Sequence, residues 1–237
     1  MSPNRCFQSP PPDLDLSRLT GLLIVIEGPD SSGRSTHVGL LTKWLEQKGY
    51  SVVQTGLKRS TLVGPELEKA KQGNTLSPRT MSLFYATDFY DQMENEVVPA
   101  LDSGAVALAD RYIFTLMARD LVRGTEPHWL ESLYSRALVA DAVFYLKVPL
   151  ATLATRTLRA HGRLDYWESG MDLGLSRDWF DSFSRYQRRL NDEFMKLHER
   201  FNFEIINANR SAKAIQDDLR ERVEKLLERV RPGQPSA

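Results

Sequence analysis

The chain has 237 residues, 41% of them apolar, with 31 Lys and Arg against 31 Asp and Glu. That length supports one substantial core and a single domain, and zero net charge gives no general attraction to nucleic acid or membrane. The single cysteine, Cys6, excludes an internal disulfide framework and suits a reducing cytoplasm, and no apolar run approaches a membrane span.

Residues 1–20 carry Pro10-Pro11-Pro12 and no apolar signal core, so a flexible lead is expected ahead of a domain over 21–230. Strands are expected at 22–26, 51–55, 105–109, 142–147 and 203–207. Helices are expected at 35–47, about 79–102, two between 112 and 139, then 150–160, 177–200 and from about 211. Four of the strands are near-continuous apolar or β-branched runs, as strands buried on both faces should be. The last helix shows Ile215, Leu219, Val223, Leu226 and Val230 at helical spacing and so docks one face on the core. The alternation predicts an α/β layer fold around a five-stranded parallel sheet. Residues 231–237, with two prolines, are expected to form a flexible tail.

Chemistry concentrates directly after the first strand, in Gly28-Pro29-Asp30-Ser31-Ser32-Gly33-Arg34-Ser35-Thr36. The spacing is that of a phosphate-binding loop: glycine, four residues, glycine, a cation, then Ser or Thr. Its glycines let successive amides turn inward, and the following helix adds its positive end. Arg34 stands where the standard pattern has lysine. Its broad, permanently charged fork reaches phosphate at a different angle. Ser35 and Asp110, at the tip of the third strand, are placed to hold Mg²⁺, and Arg111 to clamp a phosphate. A plain strand–turn–helix with an exposed arginine, and a surface Asp-Arg pair capping the next helix, are the structural alternatives. Between Lys147 and Lys196 stand seven arginines and no lysine. Arg156, Arg159 and Arg163 suit a lid, at about 156–176, that neutralises a transferring phosphoryl group, whereas Arg188 and Arg189 read as a solvated helical face.

Taken together, these residues resemble the thymidylate kinase family of nucleoside monophosphate kinases. The match includes Glu27-Gly28-x-Asp30, Leu83-Phe84-Tyr85-Ala86, and 99–104 before Asp110-Arg111-Tyr112. It continues through Arg159-x-x-Gly162-x-x-Asp165-x-x-Glu168 to Asn207-Ala208-Asn209. The resemblance implies a three-layer P-loop kinase fold, ATP with Mg²⁺, a small nucleotide acceptor and a homodimer. It implies that Asp30 touches the acceptor's sugar hydroxyl, Phe84 stacks on its base and Arg111 holds its phosphate. Ser31 sits where some members place a catalytic arginine, leaving that charge to Arg34 and the lid arginines.

Departures cluster at the acceptor. The family's Thr-Arg-Glu-Pro reads Thr55-Gly56-Leu57-Lys58, with Arg59 next, so the cation for the acceptor phosphate is displaced to Lys58 or Arg59. Asp88 replaces an arginine that reads a thymine carbonyl, an acceptor in place of a donor. Thr115, Leu116, Arg119 and Asp120 replace the usual residues near base and sugar. Asp88 is therefore expected either to accept from an exocyclic amine of another base or to pair with Arg119 and refill the pocket. Both versions predict altered base specificity. Two other functions remain open: a nucleotide-binding regulator with little turnover, and a kinase for a small non-nucleotide acceptor.

Overall fold

The computed structural model describes residues 6–11, 14–73 and 76–230; the tail at 231–237 and Pro12 of the lead lie outside the described residues. β1 (Leu22–Glu27) is buried along its whole length. Period-two alternation sends Leu23 and Val25 to one face and Leu22, Ile24 and Ile26 to the other, so each layer of helices finds apolar side chains. With β2 (Val52–Gly56), β3 (Val106–Asp110), β4 (Ala142–Lys147) and β5 (Glu204–Asn207) it forms a parallel sheet in the order β2-β3-β1-β4-β5. Every expected strand is present within one residue of its expected ends.

The helices are α1 (Arg34–Gln47), α2 (Gly64–Gly73), α3 (Pro78–Gln92), α4 (Val98–Asp102), α5 (Ile113–Val122), α6 (Pro127–Leu133), α7 (Leu150–His161), α8 (Trp179–Phe201) and α9 (Ala212–Val230). α1 and α9 cover one face of the sheet through Val38, Leu41, Leu45, Ile215, Leu219 and Val223. α3, α5 and α8 cover the other with Tyr85, Phe89, Phe114, Leu116, Tyr186 and Leu190. β1 lies between β3 and β4, so the chain builds the sheet first to one side of β1 and then to the other. Open α/β sheets hold ligands at the carboxyl ends beside such a reversal.

Two helical expectations change. α2 was not expected: Leu67 is its one fully buried large apolar side chain, too little to mark a periodic face. The long helix expected over 79–102 is α3 and α4 joined by a π-helical turn, Met93–Val97. There the Val98 N–H reaches back five residues to the Met93 carbonyl. Pro99, in the first turn of α4, has no N–H to continue the ordinary ladder.

The lead also differs from a free segment. Cys6 is buried and bridges to Leu138 in antiparallel fashion, and the Phe7 N–H donates to the Ala137 carbonyl at 3.2 Å. Phe7 meets Phe114 and Phe201 edge-on, with ring centroids 6.0 and 5.3 Å apart. Asp15 caps a short 3₁₀ turn, Leu16–Arg18, and Leu19 is buried. The prolines hid an anchoring aromatic, Phe7, three residues before the run begins. No helix among the described residues is long and apolar enough to cross a membrane.

Candidate active site

β1 ends in Glu27, a carboxylate with no exposed surface. Burial raises its pKa even though it accepts from Tyr112 N–H at 2.9 Å, Thr115 N–H at 3.1 Å and Thr115 Oγ1 at 2.5 Å. Glu27 thus ties the phosphate loop to the turn that carries Arg111. Thr115, expected against the acceptor, instead spends its hydroxyl on Glu27 and is buried. In the loop itself Gly28, Ser31 and Gly33 take positive φ, at 145°, 62° and 100°. A Cβ on Gly28 would meet the Leu146 carbonyl oxygen at 3.0 Å, so this turn requires glycine. Ser32 is buried, while Ser35 and Thr36 are exposed.

Arg34 is buried against its own loop. Its Nη1 donates to the Gly28 carbonyl at 2.5 Å and to the Pro29 carbonyl, and its Nε donates to Asp110 Oδ1 at 2.9 Å. Ser35 Oγ donates to Asp110 Oδ2 at 2.6 Å. These two oxygen-bearing side chains converge beside an anion-binding loop, a donor set that fits Mg²⁺, which keeps waters and phosphate oxygens as its other ligands. Asp30 pairs with Arg111 Nη2, with Arg119 Nη2 at 2.9 Å, and lies 3.7 Å from Arg34 Nη2. Burial alone would raise its pKa; Arg111, Arg119 and Arg34 outweigh that and hold the carboxyl far below the usual range. Three guanidinium groups here, Arg34, Arg111 and Arg119, face Asp30 and Asp110, with the Glu27 and Glu168 carboxyls also nearby. Ser31 Oγ and Arg111 Nε are buried without partners, two donors that phosphate oxygens would satisfy.

Beyond Asp30 lies a cavity of about 50 Å³ between α3, α5, α8 and the 162–178 connection. Arg119, Tyr85, Trp167, Glu168, Asp120 and Tyr186 line it. Burial and the Asp30 charge push Glu168 up to about 7, and burial pushes Asp120 up to about 6 although Ser82 Oγ donates to it. A carboxyl whose folded pKa exceeds its unfolded 4.5 opposes folding once ionised. The penalty is absent below pH 4.5, grows toward pH 7 and persists above it. Glu168→Gln is therefore expected to match the parent's Tm near pH 4.5 and exceed it above pH 7, as read by thermal unfolding across that range.

Several expected acceptor residues lie elsewhere. Asp88 neither reads a base nor meets Arg119. Its carboxylate is fully buried and accepts from Lys58 N–H at 2.7 Å and Ser60 N–H at 3.0 Å, pinning the loop after β2. The helical turn that would place it against a base faces that loop. Asp88→Ala is expected to leave both N–H groups unpaired and to cost about 1–3 kcal/mol, measured by denaturant unfolding. Arg119 turns to Asp30 instead. Lys58 sends its ammonium to Glu68 at 2.6 Å, and Arg59 stands near Glu96. On α3 the cavity is lined by Met81 and Tyr85, with Phe84 one residue off that face. Arg156 bridges the Ser32 and Ala208 carbonyls at 3.3 and 3.0 Å. Arg159 and Arg163 are exposed, and their side chains make no hydrogen bond among the described residues.

Sequence reasoning passed over Arg123. It pairs with Asp172 at 2.8 Å, donates to Tyr186 Oη at 2.9 Å and lies over the Trp167 and Tyr186 rings. Trp167 Nε1 in turn donates to the Lys71 carbonyl at 3.0 Å, fastening the 162–178 segment to α2. The aromatic residues of that segment were the available signal.

A strand running into a glycine loop, with Asp110 at the tip of its neighbour, places the molecule among the P-loop kinases. Comparison with known proteins narrows that class. The family model described as thymidylate kinase matches residues 26–219. A "Probable thymidylate kinase 2" of Saccharolobus solfataricus is 36% identical over 203 residues, 85% of this chain and 95% of that protein. A "Probable thymidylate kinase" of Thermococcus gammatolerans is 31% identical, covering 84% of this chain and 94% of the relative. A "Thymidylate kinase" of Akkermansia muciniphila is 33% identical over 68% of this chain and 79% of its own length. The chain belongs to the thymidylate kinase family, and with it to the nucleotide-binding kinases that phosphorylate nucleoside monophosphates.

Proposed function

We propose that the chain transfers the γ-phosphoryl group of ATP to a nucleoside monophosphate whose base is other than thymine. The observation that carries this reading is the convergence of Arg34, Arg111 and Arg119 on Asp30, between the phosphate loop and the cavity. Arg111 and Arg119 hold the acceptor's phosphate, and Asp30 orients its sugar. Ser35 and Asp110 would hold Mg²⁺, which would supply charge neutralisation of the donor's phosphates. Catalysis is positioning and charge neutralisation, with no covalent intermediate. A 50 Å³ cavity has room for a few waters, so the lid over about 156–176 opens to admit a nucleotide and carries Arg159 and Arg163 with it.

Base preference rests on the carboxyl groups of Glu168 and Asp120 at the cavity wall. Acceptors there suit an exocyclic amine better than the thymine O4. The test is ATP consumption with Mg²⁺ across all ribo- and deoxynucleoside monophosphates, identifying the diphosphate formed. A preference for dTMP removes the base argument and leaves the kinase.

A second reading, a nucleotide-binding regulator with little turnover, is favoured by one observation: Arg34 is folded onto the carbonyls of Gly28 and Pro29. Silence across the panel with ATP binding intact would leave this reading and the kinase for a small non-nucleotide acceptor. The homodimer and the cytoplasmic location rest on family resemblance and on the single cysteine; sedimentation reads the first.

A further inference from the structure

Arg34 makes a set of contacts that a lysine could not make at once. Its Nε donates to Asp110 Oδ1 at 2.9 Å, its Nη1 to the Gly28 carbonyl at 2.5 Å, and its Nη2 lies 3.7 Å from Asp30 Oδ1. A guanidinium presents three nitrogens in a rigid plane, whereas an ammonium is a single point. Asp110 shares its other oxygen with Ser35 on the metal side. Asp30 shares its oxygens with Arg111 and Arg119 on the acceptor side. One side chain, 8% exposed, therefore spans both halves of the site.

We propose that Arg34 is a positioning residue that couples the two halves: it holds Asp110 and Asp30 in one ion network, and losing one carboxylate tightens its hold on the other. The proposal rests on the reading that the loop from Gly28 to Thr36 binds a Mg²⁺-loaded nucleoside triphosphate. Arg34 Nε and a divalent cation want the same Asp110 carboxylate, and like charges at such distances repel. On loading, Arg34 turns toward Asp30, the next carboxylate within its reach. Asp30 then serves three guanidinium groups with two oxygens, and Arg111, whose Nε is already unpartnered, is released toward an acceptor phosphate. Donor binding thereby prepares the acceptor side, a link the lysine of the standard loop cannot make.

The test is a double-mutant cycle on binding of Mg·AMPPNP, a non-hydrolysable ATP analogue, by isothermal titration calorimetry. Asp30→Asn, on the acceptor side, leaves Arg34 with Asp110 alone and is expected to raise the Kd at least tenfold. In an Arg34→Lys background the same change is expected to move the Kd less than twofold. Asp30→Glu keeps the charge, extends it toward Arg34 and is expected to tighten binding at least threefold, which covers the case in which Asp30→Asn fails to fold by circular dichroism. Equal shifts in both backgrounds, or one Kd for every folded Asp30 form, overturn the coupling while leaving the nucleotide reading intact. Absence of Mg·AMPPNP binding to the unmodified protein overturns that reading and the coupling with it.

Discussion

Arg111→Gln is expected to lower kcat/KM for the active nucleoside monophosphate about 10³-fold or more, while Mg·AMPPNP still binds. An arginine that stabilises charge on a phosphoryl group is worth about 10³–10⁵ in rate. Arg111 is built for that place. Its φ is 75°, a left-handed backbone that non-glycine residues avoid, at an order of 1–3 kcal/mol. The strain is held by Arg111 N–H donating to the Ile26 carbonyl at 3.0 Å and by Glu27 taking the next N–H. The same backbone aims the side chain at Asp30, with Nε left unpartnered. Glutamine keeps most of the length and removes the charge and the fork. Arg111→Lys keeps the charge and is expected to recover part of the loss, since one ammonium cannot serve Asp30 and a phosphate together. Steady-state kinetics beside calorimetry make the check; a loss below tenfold would place the acceptor phosphate elsewhere.

Phe114→Ala is expected to cost about 3–5 kcal/mol of stability, a large share of the roughly 5–15 kcal/mol that holds a domain folded. Phe114 is 1% exposed. Its ring stands 4.5 Å from Phe203, 5.2 Å from Phe201, 6.0 Å from Phe7 and 6.2 Å from Tyr112, centroid to centroid. Through these contacts α5 joins the N-terminal segment, the end of α8 and the approach to β5. Truncation leaves a cavity under four elements at once, and none can close it alone. Urea unfolding with a constant m-value reads the loss. A midpoint shift worth less than about 1 kcal/mol would mean the surrounding rings collapse into the space.

The sheet was legible because four of its strands are near-continuous apolar or β-branched runs, and the phosphate loop because its glycines have one geometry. The acceptor side was legible by residue type and misread in direction. Asp88 and Phe84 lie on α3 beside Met81 and Tyr85, and a rotation of one residue decides which pair faces the cavity. Spacing along a helix fixes which side chains share a face, and tertiary packing fixes where that face points. Thr115 was drawn away by Glu27, a buried carboxylate whose need for donors no pattern announces. Arg123 was missed because its partners, Asp172 and Tyr186, lie about fifty and sixty residues away in the chain.

The π-helical turn at 93–97 bears on the same question of direction. A helix advances about 100° per residue, so one extra residue in that turn sets the phase of everything before it against everything after it. Val97 and Leu101 stay in the core on one side of the turn while Tyr85 faces the cavity and Asp88 the 58–60 loop on the other. Chain length across this stretch is thus a timing mark as much as a span. Single substitutions there can drift, but the loss of one residue would turn the two sides of the turn out of phase and swing both side chains off their targets together.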